Sequence, residues 1–90
     1  MNAILTEKDT LAIQDILIRQ LEVSRDQVKP EARIKADLGS DSLDDIEISM
    51  SVEDHFDLTV PDEQLERIET VEDLYLAVSA LMARKMRPKS

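Results

Sequence analysis

The stretch Asp37-Leu38-Gly39-Ser40-Asp41-Ser42-Leu43-Asp44 carries the residues of this chain best arranged to do chemistry. A turn built around the only glycine presents one serine at the mouth of an acidic, apolar helix. Three roles for Ser42 follow from its type and place. It can cap the helix, because Asp and Ser oxygens accept hydrogen bonds from the free backbone N–H groups of a first turn. It can be a hydrolytic nucleophile, which requires a base within reach and an oxyanion hole. Or it can be a modification site worked on by another enzyme, with Gly39 and Ser40 giving the approach. The nucleophile role is the poorest. The single histidine, His55, lies thirteen residues along the same expected helix, ~20 Å away at a rise of about 1.5 Å per residue. No glycine follows Ser42, so the glycine pattern of a nucleophile elbow is missing too. His55 reads instead as a solvated residue at a helix end that favours cations. A phosphate on Ser42 would meet the free N–H groups of the helix start, whereas Asp41, Asp44 and Asp45 would oppose it and recruit a basic or metal-loaded enzyme.

The clustered acids invite a calcium-loop reading as well. Asp37, Gly39 and Asp41 place the glycine too early for the EF-hand order. Only loose, weak cation binding by carboxylates is left, and no metal site is expected.

Helices must position these residues. Thr6 followed by Glu7 and Asp9 signals a first helix, whose apolar stripe Ile13, Ile16, Leu17, Leu21 carries it to about Glu22. Val23 to Ser40 has no clear period; Val28, Ile34 and Leu38 are the expected anchors of this long loop, and loops of that length are usually functional. A second helix begins at Asp41 or Ser42 and runs to about Phe56, where Leu58, Val60 and Pro61 turn the chain. Pro61-Asp62-Glu63 starts a short third helix through Leu65 and Ile68. Thr70-Val71-Glu72-Asp73 repeats the capping pattern before a fourth, striped by Val71, Leu74, Val78, Leu81 and Met82. A frayed basic tail is expected from Arg84.

Ninety residues make at most one domain, expected to span 1–90. One glycine, three prolines and two aromatic residues, Phe56 and Tyr75, argue for an aliphatic, all-α core rather than a β fold. With no cysteine, the chain has no disulfide, thiolate metal site or thiol of its own, so thioester chemistry would need a sulfur brought in by a cofactor. No apolar run approaches a membrane span and no signal-peptide pattern opens the chain, which implies a cytoplasmic protein without membrane insertion. The net charge is −9, and Asp37 to Asp73 holds fourteen acids against one base, Arg67. Such a segment repels nucleic acid and attracts basic protein surfaces, or simply solubilises a helical face.

The second helix carries two apolar stripes. Ile48, Val52 and Phe56 recur at i, i+4, i+8, while Leu43, Ile46 and Met50 fall on another side, more than ~90° away at 100° per residue. A helix of a small bundle buries one stripe. The set ending in Phe56 is the better core candidate. The other, flanked by Glu47, Glu53 and Asp54, then suits docking of a basic partner, unless the preceding loop folds over Leu43 and Ile46.

The order and spacing of Asp37-Leu38-Gly39, Asp41-Ser42-Leu43-Asp44, Ile46-Glu47-Ile48, Met50, Val52-Glu53-Asp54, Phe56, Val60-Pro61-Asp62-Glu63 and Thr70-Val71 resemble the acyl carrier proteins. The resemblance covers nearly the whole chain. It implies a four-helix bundle with three longer helices and a short third one. It implies that Ser42, between Asp41 and Leu43, receives a covalent 4'-phosphopantetheine from a phosphopantetheinyl transferase, whose thiol then holds acyl groups as thioesters. Leu43, Asp44, Ile46, Glu47, Met50, Glu53 and Asp54 match positions that contact partner enzymes, here acyl synthases and acyltransferases with basic docking surfaces. Ile48, Val52 and Phe56 match those that shelter the acyl chain. The expected protein is a discrete, monomeric, non-catalytic carrier for fatty-acid, specialised-lipid or polyketide synthesis. Ser49, Ser51, Asp45 and the basic end depart from the family pattern, which points toward a specialised carrier, and Ser40 tilts against a peptidyl carrier. The rival role is an unmodified acidic adaptor that binds a basic helix.

Overall fold

Three of the four α-helix starts among the described residues are fixed by reciprocal side-chain caps. In the computed structural model, which describes residues 5–86, Thr6 Oγ1 accepts the Asp9 amide and Asp9 returns the bond to the Thr6 amide, both at 3.1 Å. That box opens α1, Glu7–Leu21. A 3-10 turn at Arg25–Gln27 follows, then α2 at Ser42–Phe56, α3 at Asp62–Leu65 and α4 at Val71–Met86. The same box recurs at α4, where Thr70 Oγ1 accepts the Asp73 amide at 3.0 Å. The described residues contain four α-helices and no strand beyond one isolated bridge between Arg33 and Thr70, as the all-α expectation required.

Helices α1 and α2 end without glycine. Glu22 and Asp57 take the left-handed conformation themselves, at φ 54° and 55°. The next amides, Val23 and Leu58, reach back to the Ile18 and Glu53 carbonyls, which also accept the Glu22 and Asp57 amides, and so close the last turn. Helix α3 stops at Leu65, short of the expected Ile68, because its bonding tightens: the Arg67 and Ile68 amides reach only to the Gln64 and Leu65 carbonyls. The expectation of an irregular tail from Arg84 is corrected for its first residues, since α4 continues through Met86. Cations are favoured at a helix C-terminus, and Lys85 Nζ donates to the carbonyls of Asp57 at 2.6 Å and Phe56 at 3.2 Å. Arg87, Pro88 and Lys89 lie outside the described residues.

The core is the aliphatic one expected. Ile13 and Leu17 of α1, Ile48 and Val52 of α2 and Val71, Leu74 and Val78 of α4 bury together. The loop anchors Val28, Ile34 and Leu38 join them. Backbone bonds also pin this loop to the start of α4: the Ile34 amide donates to the Glu69 carbonyl at 2.8 Å, and the Val71 and Glu72 amides donate to Ala32 and Pro30. The segment before Ser42 is therefore a fixed strap. Its one left-handed residue is Gly39, at φ 79°, where a side chain would be strained.

Candidate functional site

Asp41 caps α2, and this leaves Ser42 free. Asp41 Oδ1 accepts the Asp44 amide at 2.8 Å, and Asp44 Oδ2 accepts the Asp41 amide at 3.2 Å. Ser42, the first helical residue, is exposed. Among the described residues its hydroxyl makes no side-chain hydrogen bond that a modifying enzyme would have to break. The capping role that Ser42 could have filled belongs to its neighbour. The only histidine lies at the opposite end of α2, exposed and edge-on to Phe56 with ring centroids 4.7 Å apart. The carboxylates at the serine's end of α2 are already engaged, Asp44 with Asp41 and Gln20 and Asp45 with Ser40 and Lys35. Among the described residues no three His, Cys, Asp or Glu side chains gather to hold a metal ion.

The residue before the cap behaves differently from expectation. Ser40 is buried, at 7 % exposure, and does not open the approach to Ser42. Its Oγ donates to Asp45 Oδ1 at 2.7 Å, and Asp45 Oδ2 pairs with Lys35 Nζ at 3.2 Å. The departure from the family pattern at Asp45 thus supplies the acceptor that holds the turn down. Approach to Ser42 rests on Gly39 and on the exposure of the first helical turn itself.

The two stripes of α2 separate as the spacing predicts. Ile48 and Val52 are buried. Leu43, Ile46 and Met50 stand 62 %, 51 % and 59 % exposed, so the loop does not fold over them. The acids around this strip are not equivalent. Glu47 and Asp54 are exposed. Glu53 is half-buried, with Oε2 accepting the Val60 amide at 2.8 Å, so it also staples the turn after α2. Asp44 is tied on both oxygens, to Asp41 and to Gln20 Nε2, the latter at 3.0 Å. Its carboxyl is held below the ordinary carboxylate value, first by the Gln20 amide and then by the Asp41 backbone N–H. Gln20 also donates to Glu47 Oε1 at 2.6 Å. Sequence reasoning missed Gln20, which sits on another helix with no local spacing to mark it.

A small cavity of about 30 Å³ opens between α2, α3 and α4, lined by Ile48, Val52, Val60, Leu65 and Leu74 with Ile34 of the strap. Of the three residues expected to shelter an acyl chain, Ile48 and Val52 are in its wall. Phe56 is not; it packs half-buried on the core at the far end of α2. Lys35, Asp45 and Ser49 border the cavity, and the Ser49 hydroxyl is already spent on the Ile46 carbonyl at 2.8 Å.

Known proteins match this sequence. The chain fits the family described as the phosphopantetheine attachment site over residues 12–78. It is similar to the acyl carrier protein of Bdellovibrio bacteriovorus, 48 % identical over 62 residues that cover 69 % of this chain and 80 % of that one. The acyl carrier protein of Chlorobium phaeobacteroides is 45 % identical over 60 residues, 67 % of this chain and 77 % of its own. No described helix is long and apolar enough to cross a membrane. A capped helix offering a free serine, a strip of exposed apolar side chains among acids, and these relatives agree: the chain belongs to the acyl carrier protein family and is a carrier rather than an enzyme, served by a covalent 4'-phosphopantetheine.

Proposed function

We propose that Ser42 is the residue that takes the prosthetic group, and that the exposed α2 strip is where partner enzymes dock. The observation that supports this most is the division of labour at the helix start: Asp41 caps the helix by accepting the Asp44 amide, and the neighbouring hydroxyl is left exposed. The donor fits the group, because a serine hydroxyl can form the phosphoester and the N–H groups of the first turn would favour its phosphate. The bound group supplies a thiol on which acyl chains are held as thioesters. The base that takes the Ser42 Oγ proton is assigned to the transferase, because Asp41, Asp44 and Asp45 are held in hydrogen bonds within the fold and the only histidine of this chain lies at the other end of α2.

Docking by Leu43, Ile46 and Met50 buries apolar surface, while Glu47 and Asp54, with Asp44 and Glu53 behind them, steer basic surfaces into register. Partners on this reading are a phosphopantetheinyl transferase and acyl synthases and acyltransferases, met one at a time by a cytoplasmic monomer. Tethering raises the effective concentration of cargo at each enzyme. Ile48 and Val52 would have to part to admit a chain, because a cavity of about 30 Å³ is far smaller than one. Fatty-acid synthesis is the usual work of the family, and the Lys35–Asp45 pair at the cavity border favours a specialised cargo.

The test is coexpression with a broad-specificity phosphopantetheinyl transferase, followed by intact mass measurement. One prosthetic-group mass gain, absent from Ser42→Ala, is the expected result. An unchanged mass in the parent chain favours the unmodified acidic adaptor.

A further inference from the structure

We infer that Gln20, at the end of α1, is a positioning residue for the modification of Ser42, tying the serine's helical turn to α1 through Asp44. The inference rests on Ser42 being the attachment point. Gln20 Nε2 has two N–H groups, and each meets a carboxylate of α2: Asp44 Oδ1 at 3.0 Å and Glu47 Oε1 at 2.6 Å. The amide can face only this way, because its oxygen in the same place would confront two acceptors. Asp44 and Glu47 are three residues apart on one helix, where like charges repel. Gln20 supplies the donors that let both stay on that face.

The tie continues to the cap. Asp44 Oδ2 accepts the Asp41 amide while Asp41 Oδ1 accepts the Asp44 amide. Hydrogen bonds therefore run from α1 through Asp44 into the residue next to Ser42. Side chains of Asp41, Ser42 and Leu43 are exposed, so packing does little to order this turn. Two side-chain ties do it instead: Ser40 to Asp45 on one side, and Gln20 to Asp44 on the other. A first turn held in place spares the transferase the cost of ordering it on binding. Loss of the tie should then appear in KM and leave kcat alone.

The experiment measures transfer from coenzyme A to the full chain by a broad transferase, for the parent, Gln20→Ala, Gln20→Lys, Gln20→Glu and Ser42→Ala. Gln20→Ala should lower kcat/KM about fivefold through KM, the net size of an ordinary hydrogen bond exposed to water. Gln20→Lys keeps donors for both carboxylates and should restore most of the rate; Gln20→Glu adds a third carboxylate and should be the slowest of the three. The Asp44 carboxyl, followed by carbon-detected NMR titration, should move up toward its ordinary value in Gln20→Ala and back down in Gln20→Lys. Parent-like kinetics in Gln20→Ala, or a lysine variant as slow as the alanine one, overturns the inference. If even the parent is not modified, what fails is the assignment of Ser42, and the NMR titration still decides whether Gln20 holds Asp44.

Discussion

Removing the Asp45 carboxylate should cost this small domain about 2 kcal/mol, most of it through a single buried hydroxyl. Ser40 is 7 % exposed and its Oγ lies 2.7 Å from Asp45 Oδ1. A hydrogen bond to a charged acceptor contributes roughly 1.5–3 kcal/mol. Ser40 has a weaker fallback in the Asp41 carbonyl at 3.3 Å, which places the loss toward the lower end of that range. The Lys35 pair adds little: the lysine side chain is 66 % exposed, and such pairs contribute ~0.5 kcal/mol or less. In a domain of this size about 2 kcal/mol corresponds to a fall in Tm of roughly 10 °C. The assay is urea unfolding followed by circular dichroism, for Asp45→Ala, Ser40→Ala, their double mutant and Lys35→Ala. The cycle should give a Ser40–Asp45 coupling of about 1 kcal/mol, and Lys35→Ala should cost under ~0.5 kcal/mol. A coupling near zero would show that the strap is held by its backbone bonds to α4 instead, and a lysine variant as damaged as the aspartate one would assign the loss to the ion pair.

On the docking face, Met50→Glu and Glu47→Lys should each raise the KM for loading or acyl transfer about tenfold while helicity is unchanged, since both side chains are exposed; unaltered transfer rates would remove this strip from the interface. At α4, Asp73 accepts the Glu69 and Thr70 amides, which hold its carboxyl below the ordinary 3.8. A folded-state pKa below the unfolded one gives stability that is complete above the ordinary carboxylate range and lost as pH falls through the folded value. Asp73→Ala should therefore be less stable than the parent at pH 7, with the gap narrowing below pH ~4 in acid unfolding curves; a gap independent of pH would assign the loss to something other than this carboxylate.

The elements legible in the sequence are those with local signatures. Thr6 with Asp9, Asp41 with Asp44 and Thr70 with Asp73 each mark a helix start within four residues, and the stripes of α1 and α4 repeat at helical spacing. The two faces of α2 were readable for the same reason. What escaped depends on long-range partners. Backbone bonds from residues 30–34 to 69–72 leave no pattern in side-chain type. Gln20 resembles any surface glutamine until α2 is laid beside it. Ser40 looked like turn chemistry beside a glycine, and only burial reveals that its hydroxyl is committed. Phe56 followed the core stripe, yet one more turn of α2 carried it past the cavity that Ile48 and Val52 reach.

Helix α2 carries five acids, Asp44, Asp45, Glu47, Glu53 and Asp54, and they divide into two kinds. Asp45 and Glu53 hold the polypeptide on either side of the helix, through Ser40 and the Val60 amide. Asp44 holds the cap. Glu47 shares Gln20 but is exposed, as is Asp54. All five contribute to the field that draws in a basic surface, because steering acts over about a Debye length and does not require contact. Glu47 can turn toward a partner by giving up only its bond to Gln20, and Asp54 is exposed on the same face. The face is thus strongly attractive at a distance but makes few fixed ionic contacts once docked. That combination suits a carrier that must reach successive enzymes quickly and leave each of them, since charge complementarity raises encounter rates more than it lengthens residence.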